Sequence, residues 1–175
     1  MFWRHVLSIE VCIAMHALFP MASYGGQTSA EYSAWKYITS FQEGYLKYQT
    51  YVDSVACVRF LQTSVNATDK SGLYEVPFKI PAENATETLT LLFVVQARPD
   101  QYVVYKEDGE VLYKSTVAYS DYGNCTIVQD SETPTNCKMF VNSGTSTDAI
   151  EECADKFPGS CDSSRIDMFD PSVCG

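Results

Sequence analysis

Residues 110–128 read EVLYKSTVAYSDYGNCTIV, and they carry the clearest structural signal in the chain. β-branched and aromatic residues are frequent on both sides of the polar break at 121–124, as is typical of strands. Valine, tyrosine and threonine recur from Val111 to Ser120, and a second such run begins at Cys125. The stretch therefore predicts two neighbouring strands, Val111–Ser120 and Cys125–Gln129.

A period of two, in which successive side chains point to opposite faces of a strand, is found on both sides of this pair. Six further strands are predicted over Tyr45–Val52, Val55–Ser64, Gly72–Ile80, Thr86–Ala97, Gln101–Lys106 and Lys138–Asn142. The breaks between them are mostly short and turn-like, for example Arg98–Asp100 and Glu107–Glu110. Many short strands with short links predict an antiparallel meander. Eight such strands can close into an up-and-down barrel, which has room for one small ligand.

Two segments have helical spacing instead. Residues 28–41 carry apolar side chains at three-residue steps, and Thr147–Phe157 carries them on one face before Pro158 ends the pattern. The tail from Ile166 to Cys174 is predicted to be extended. The expected fold class is thus all-β with a C-terminal helix, built as an eight-stranded antiparallel up-and-down barrel.

The N-terminus has the three parts of a secretory signal peptide. Arg4 and His5 precede an apolar stretch over Val6–Phe19, and small residues follow at Ala22 and Ser23. The sequence predicts a signal peptide over 1–25 and a single domain over 26–175. The mature protein is expected to be extracellular.

Cysteine and histidine usage favours binding over catalysis. Both histidines lie within the predicted leader, so the mature chain has no Ser-His-Asp triad, no Cys-His pair and no ordinary zinc site. Six cysteines remain after the leader, and an even set in a secreted chain predicts a disulfide framework. We expect no enzyme activity, no cofactor and no metal.

Charge and sequons point to a soluble extracellular protein. The formal net charge of −10 disfavours binding to nucleic acid or to anionic lipid, and no membrane insertion is expected. Asn66, Asn84 and Asn124 each begin an Asn-x-Ser/Thr sequon. Asn124 is the weakest glycosylation candidate because a cysteine stands at the centre of its sequon.

Strand alternation predicts which side chains face the interior. Placing Glu75, Lys79 and Lys114 in water turns their neighbours inward. The candidate ligand-binding residues that line the barrel are Tyr48, Phe60, Tyr74, Val76, Phe78, Leu91, Phe93, Tyr113, Val117, Tyr119 and Met139. Periodicity alone also fits a solid core without a ligand, and a register slip of one residue inverts any strand.

Several short motifs resemble a known family. Tyr119-Ser-Asp followed by Asn124-Cys125 is similar to a strand pair of the tick salivary lipocalins, the family that includes the histamine-binding proteins. Four more motifs stand in that family's order: Ala34-Trp35-Lys36, Ala56-Cys57-Val58, Glu152–Phe157 and Ser172-Val173-Cys174. The match spans essentially the whole mature chain and implies a lipocalin-like barrel.

The resemblance also implies a disulfide pairing, which six cysteines alone leave open among 15 connectivities. Cys57–Cys174 and Cys125–Cys153 are carried over from the family, and Cys137–Cys161 is the pair that remains. These bonds are expected to be structural, because the chain has no Cys-x-x-Cys motif.

Within the family, the chain most resembles the japanin branch. That likeness implies a secreted protein that holds an apolar ligand, such as cholesterol, and modulates the host immune response through dendritic cells. Host immune cells or a host protein are then the expected partners. Amine-binding members carry an acid beside an aromatic on the last strand, where this chain has Lys138, and an aspartate where it has Thr126.

Two alternative functions stay open on the sequence. The first is a scavenger of host biogenic amines such as histamine or serotonin, which requires acids inside the barrel, for instance Glu43 or Asp121. The second is a host-protein binder whose barrel is filled by its own side chains.

Overall fold

The computed structural model describes residues 31–159, 161–162 and 164–174. The predicted leader, and the start of the predicted helix over 28–41, lie outside the described residues. The first helix, α1, spans Ala34–Ser40 and begins at Ser33, whose side-chain oxygen accepts a hydrogen bond from the Lys36 amide at 3.2 Å. Such a side-chain acceptor satisfies one of the amides that a helix start leaves unpaired.

Nine strands follow α1. They are β1 Glu43–Gln49, β2 Arg59–Asn66, β3 Ser71–Ile80, β4 Ala85–Val95, β5 Gln101–Lys106, β6 Val111–Ser120, β7 Cys125–Asp130, β8 Cys137–Asn142 and β9 Ile166–Asp167. A short 3-10 helix, Pro81–Glu83, joins β3 to β4.

The first eight strands form a closed barrel. Each pairs antiparallel with its neighbour in sequence, and β1 pairs with both β2 and β8. The predicted eight-stranded antiparallel barrel is therefore confirmed. The sequence missed β9, which adds to β1, and it made the β1–β2 link too short: β1 ends at Gln49 and β2 begins only at Arg59.

Helix α1 closes one end of the barrel. Tyr37 and Ile38 are buried against aromatic residues that point inward from the start of β3 and the end of β4. Gly44 in β1 permits this approach, because a Cβ there would overlap the Val141 carbonyl oxygen and the Phe41 ring. The end of the barrel next to α1 is therefore filled by side chains.

The second helix, α2, covers part of the outer wall. It spans Thr147–Ala154 and is capped by Ser146, whose side-chain oxygen accepts from the Ala149 amide at 3.3 Å. The sequence predicted this helix but extended it three residues too far, to Phe157. Beneath α2 lies an apolar cluster on the outer faces of β7 and β8, centred on Ile127 and Met139.

Three disulfides hold α2 and the C-terminal segment after it to the barrel. The bonded pairs are Cys57–Cys174, Cys125–Cys153 and Cys137–Cys161, the same pairs that the family resemblance implied. The last residues are not extended throughout as expected: only β9 is a strand, and Pro171–Cys174 forms a short helix, α3. The tail is further held by the Lys79 ammonium, which donates to the Val173 carbonyl at 2.7 Å.

Candidate ligand-binding cavity

A cavity of about 480 Å³ enters the barrel at the end opposite α1. Its walls come from the second halves of β1 and β3, the middle of β4, the starts of β2, β6 and β8, the end of β7, and the β1–β2 and β7–β8 links. The apolar part of the lining comprises Leu46, Val55, Val58, Phe60, Val76, Phe78, Leu89, Leu91, Leu112 and Phe140. A volume of this size lies within the roughly 300–1,000 Å³ of small-molecule sites.

Five of the candidate lining residues lie on the cavity wall. They are Phe60, Val76, Phe78, Leu91 and Tyr113. Alternation was sufficient on β3 and β4, because their ladder keeps a regular period of two. At the start of β6 an extra residue interrupts the ladder, and the adjacent Leu112 and Tyr113 both line the cavity.

Three more candidates belong to the packed core rather than to the cavity. Tyr74, Phe93 and Val117 are 1, 1 and 3 % exposed and join the cluster that contains the α1 residues. The ring centroids of Tyr74 and Phe93 lie 4.7 Å apart, so these side chains fill the closed end. They support the floor of the cavity and do not contact its space.

The remaining three candidates were wrong, because Tyr48, Tyr119 and Met139 pack in the outer cluster under α2. The ladders of β1 and β6 shift register between Leu46 and Tyr48 and between Val117 and Tyr119, and each shift turns the next tyrosine outward. On β8 the parity itself was inverted: Lys138 and Phe140 face the cavity, and Met139 faces α2.

Lys138 is therefore the main functional candidate that sequence reasoning missed as a lining residue. The neighbouring residue Cys137 could have indicated that Lys138 faces inward. Cys137 bonds to Cys161 outside the barrel, which turns its side chain outward and the next side chain inward. Gln49, at the end of β1, lines the cavity too and is the cross-strand partner of Lys138.

Two tyrosines hold the Lys138 ammonium inside the cavity. Its Nζ lies 4.4 Å from the Tyr113 ring centroid and 5.7 Å from that of Tyr51, within the range of cation–π attraction. Among the residues that the structure describes, no carboxylate oxygen lies within 4.0 Å of this nitrogen. The ammonium thus has aromatic neighbours but lacks an ion-pair partner.

The pKa values of Lys138 and Tyr113 favour a charged lysine beside a neutral Tyr113. Burial is the largest effect on Lys138 and lowers its pKa, but the interactions with Tyr113, Tyr51 and Asp53, which include a hydrogen bond with Tyr51, together raise that pKa above its usual value. Burial raises the pKa of Tyr113 strongly, against the opposing effect of Lys138. At neutral pH the Lys138 side chain is therefore charged.

Gln49 adds an unused hydrogen-bond acceptor to the same wall. The residue is fully buried, and its Nε2 donates to the Tyr51 carbonyl at 2.8 Å. Its Oε1 has no hydrogen-bond partner among the described residues. A buried acceptor without a partner is costly, so this atom favours a ligand that brings a donor.

Acidic side chains lie at the rim and not deep in the cavity. Asp53, in the β1–β2 link, is exposed, and Asp130, at the end of β7, accepts hydrogen bonds from the amides of Glu132 and Thr133. The two acids named earlier for amine binding, Glu43 and Asp121, are absent from the residues lining this cavity and are exposed. The deep part of the cavity is apolar.

Other predicted sites lie on the surface. Asn66, Asn84 and Asn124 are all exposed, and their glycosylation stays a prediction. Asp121, Cys125 and Cys153 come close enough together to suggest a metal site, but both sulfur atoms are used in a disulfide. No helix in the described part of the chain is long and apolar enough to span a bilayer.

Solved structures with the same barrel come from several binding proteins. Apocrustacyanin C1 is 12 % identical, with a TM-score of 0.59 over 78 % of this chain and 80 % of its own. A serotonin complex of AM182 is 16 % identical, with a TM-score of 0.57 over 80 % and 91 %. Japanin from Rhipicephalus appendiculatus bound to cholesterol is 11 % identical, with a TM-score of 0.55 over 74 % and 93 %.

Sequence comparison gives the family directly. A search of curated proteins found no match to the chain. The family model for tick histamine binding protein matches residues 26–175, which is the whole of the predicted mature domain. Together with the closed antiparallel barrel and its cavity, this match establishes that the chain belongs to the tick histamine-binding protein family of lipocalin-like, ligand-binding proteins.

Proposed function

We propose that this protein is secreted and carries an apolar ligand with one polar end, of which a sterol such as cholesterol is one candidate. The observation that carries this proposal is the lining of the cavity. Ten apolar side chains surround most of its volume, and the polar groups Gln49, Tyr51, Tyr113 and Lys138 gather on one part of the wall. Apolar walls with a few convergent polar groups suit an amphiphilic small molecule.

The same lining disfavours biogenic amines as ligands. An ammonium ligand that leaves water needs a buried carboxylate as its partner. Here the inward charge on β8 is the ammonium of Lys138, and the acids that touch the cavity, Asp53 and Asp130, belong to its rim. A cationic ligand would meet repulsion where an amine-binding site needs attraction.

The proposal includes an action on the host immune response. Its support is the resemblance of the sequence to the japanin branch, together with three disulfides of the kind that extracellular proteins carry. We expect the secreted protein to change the maturation of host dendritic cells in culture. Unchanged surface markers over a full range of protein concentrations would contradict this part of the proposal.

The carrier function can be tested on protein secreted from eukaryotic cells. Native mass spectrometry and organic extraction should find a lipid bound to the wild-type protein. Leu91→Trp, which fills the cavity, should abolish the bound mass, and Leu92→Trp, on the half-exposed outer side of the same strand, should retain it. An empty wild-type barrel that binds histamine or serotonin would instead support the amine scavenger.

A further inference from the structure

We propose that the polar end of the ligand is a carboxylate and that the Lys138 ammonium binds it. This inference rests on the proposed function, since it assigns a head group to the ligand that the cavity would carry. Lys138 lies on the cavity wall and Gln49 faces it from the neighbouring strand. A lysine on the inner face of β8 places an ammonium group in the wall of the site.

The first argument is the missing counter-ion. A buried ammonium is costly unless a charged or strongly polar group pairs with it. The faces of Tyr113 and Tyr51 attract the charge, and Tyr51 also hydrogen-bonds with it, but neither neutralises it. The exposed Asp53 acts on the ammonium from the rim without forming an ion pair within 4.0 Å. The acid at the end of β7, Asp130, is engaged by two backbone amides of its own turn. A ligand anion would supply the partner that the described protein residues do not.

The second argument is the size of the charge. A single ammonium balances a monoanion, whereas a phosphate monoester carries about −1.5 to −2 at neutral pH and would leave excess negative charge inside the barrel. The rim acids Asp53 and Asp130 would repel that excess further. A carboxylate is a monoanion and so matches one lysine, and its bond to an ammonium is a strong, charge-assisted one.

The third argument comes from Gln49. Its buried Oε1 repels a carboxylate oxygen but accepts a hydrogen bond from a hydroxyl group. The carboxylate is therefore directed towards Lys138 and the tyrosines, and a hydroxyl near the head group would satisfy the glutamine. Among ligands that share one apolar chain, the affinity of the wild-type protein should fall in the order carboxylate, hydroxyl, ammonium.

A matched ligand series tests this order. Oleic acid, oleyl alcohol and oleylamine share one chain and differ only in the head group. Their dissociation constants can be measured at pH 7.4 by displacement of a fluorescent fatty alcohol from delipidated wild-type protein. We expect the acid to bind about tenfold or more tighter than the alcohol, as a charge-assisted hydrogen bond allows.

Three variants assign the preference to Lys138. Lys138→Met keeps the length and volume of the side chain but removes its charge, and it should bind acid and alcohol equally. Lys138→Arg keeps the charge and should keep the preference. Lys114→Met removes an exposed lysine on the outer face of β6 and should behave as wild type.

The outcomes separate the two proposals. Equal binding of acid and alcohol by wild-type protein, or an unchanged preference in Lys138→Met, would overturn the carboxylate anchor and leave the lipid carrier intact. A preference for oleylamine would overturn the carboxylate anchor and the argument against amine ligands, but it would leave the lipid carrier intact. Failure of delipidated wild-type protein to bind the reporter or any of the three ligands would overturn the carrier function itself.

Discussion

Tyr74 ties helix α1 to the barrel through one hydroxyl group. The oxygen lies 3.0 Å from the Ile38 carbonyl and 3.1 Å from the Phe41 carbonyl, and it accepts a hydrogen bond from Gln62 Nε2 at 2.7 Å. These carbonyls belong to the end of α1, where helical partners run out. The side chain is also 1 % exposed, so none of these groups can turn to bulk water instead.

Replacing Tyr74 by phenylalanine should therefore loosen the closed end of the barrel. Tyr74→Phe is expected to lower the free energy of unfolding by about 1–3 kcal/mol, because the buried Phe41 carbonyl loses the hydroxyl that donates to it. The Ile38 carbonyl keeps its hydrogen bond from Gln62 Nε2. Urea denaturation followed by circular dichroism measures the effect. Tyr105→Phe, at a half-buried position on β5, is the matched control and should stay within about 0.5 kcal/mol of wild type.

Individual lining residues were predictable only where strands are regular. Alternation placed Phe78 and Leu91 on the cavity wall because their strands keep a period of two. It failed at Tyr119, because a register shift in β6 is set by packing against β7 and leaves no mark in the residue pattern. The inward lysine on β8 was recoverable in principle, since its neighbour Cys137 bonds outside the barrel.

At the scale of elements, α2 and the outer faces of β7 and β8 form a second small core. Ile127, Met139 and Val141 are fully buried there, and Cys125–Cys153 bonds β7 to the helix. The inner faces of the same two strands contribute Val128 and Phe140 to the main core. The two strands are therefore apolar on both faces, which explains why a simple inside-outside pattern is weak in them.

Met139 offers a test of which face of β8 binds the ligand. Met139→Ala should lower the free energy of unfolding by about 2–5 kcal/mol, the usual range for truncating a fully buried side chain. The affinity of the folded protein for its lipid should not change, since Met139 contacts α2. Calorimetry and ligand titration below the melting temperature measure both quantities. A loss of affinity with unchanged stability would mean that β8 has the opposite parity.

The disulfide that closes the longest loop joins the β1–β2 link to α3 at the C-terminal end of the barrel domain. Cys57–Cys174 spans 117 residues in sequence, whereas Cys137–Cys161 spans 24. In the chain-entropy model a longer closed loop restricts the unfolded state more, so the first bond should stabilise the fold by about 1 kcal/mol more than the second. Neither value could be deduced from cysteine counts, which leave the pairing open.

The two double serine variants test this ranking. Cys57→Ser with Cys174→Ser should show the lower unfolding midpoint, and Cys137→Ser with Cys161→Ser the higher one, both below wild type. Urea titrations of all three proteins under identical oxidising conditions give the comparison. The reverse order would indicate that local contacts around Cys161 matter more than loop length.

The opposite orientation of Lys138 and Met139, adjacent residues on β8, has a practical consequence. Lys138 faces the cavity, and Met139 packs against α2, so either residue can be varied while the other is held constant. A combinatorial library restricted to positions 49, 113 and 138 would sample new cargo chemistries on an unchanged framework. A few inward side chains would then set the ligand specificity of the barrel, and the rest of the fold would stay unchanged.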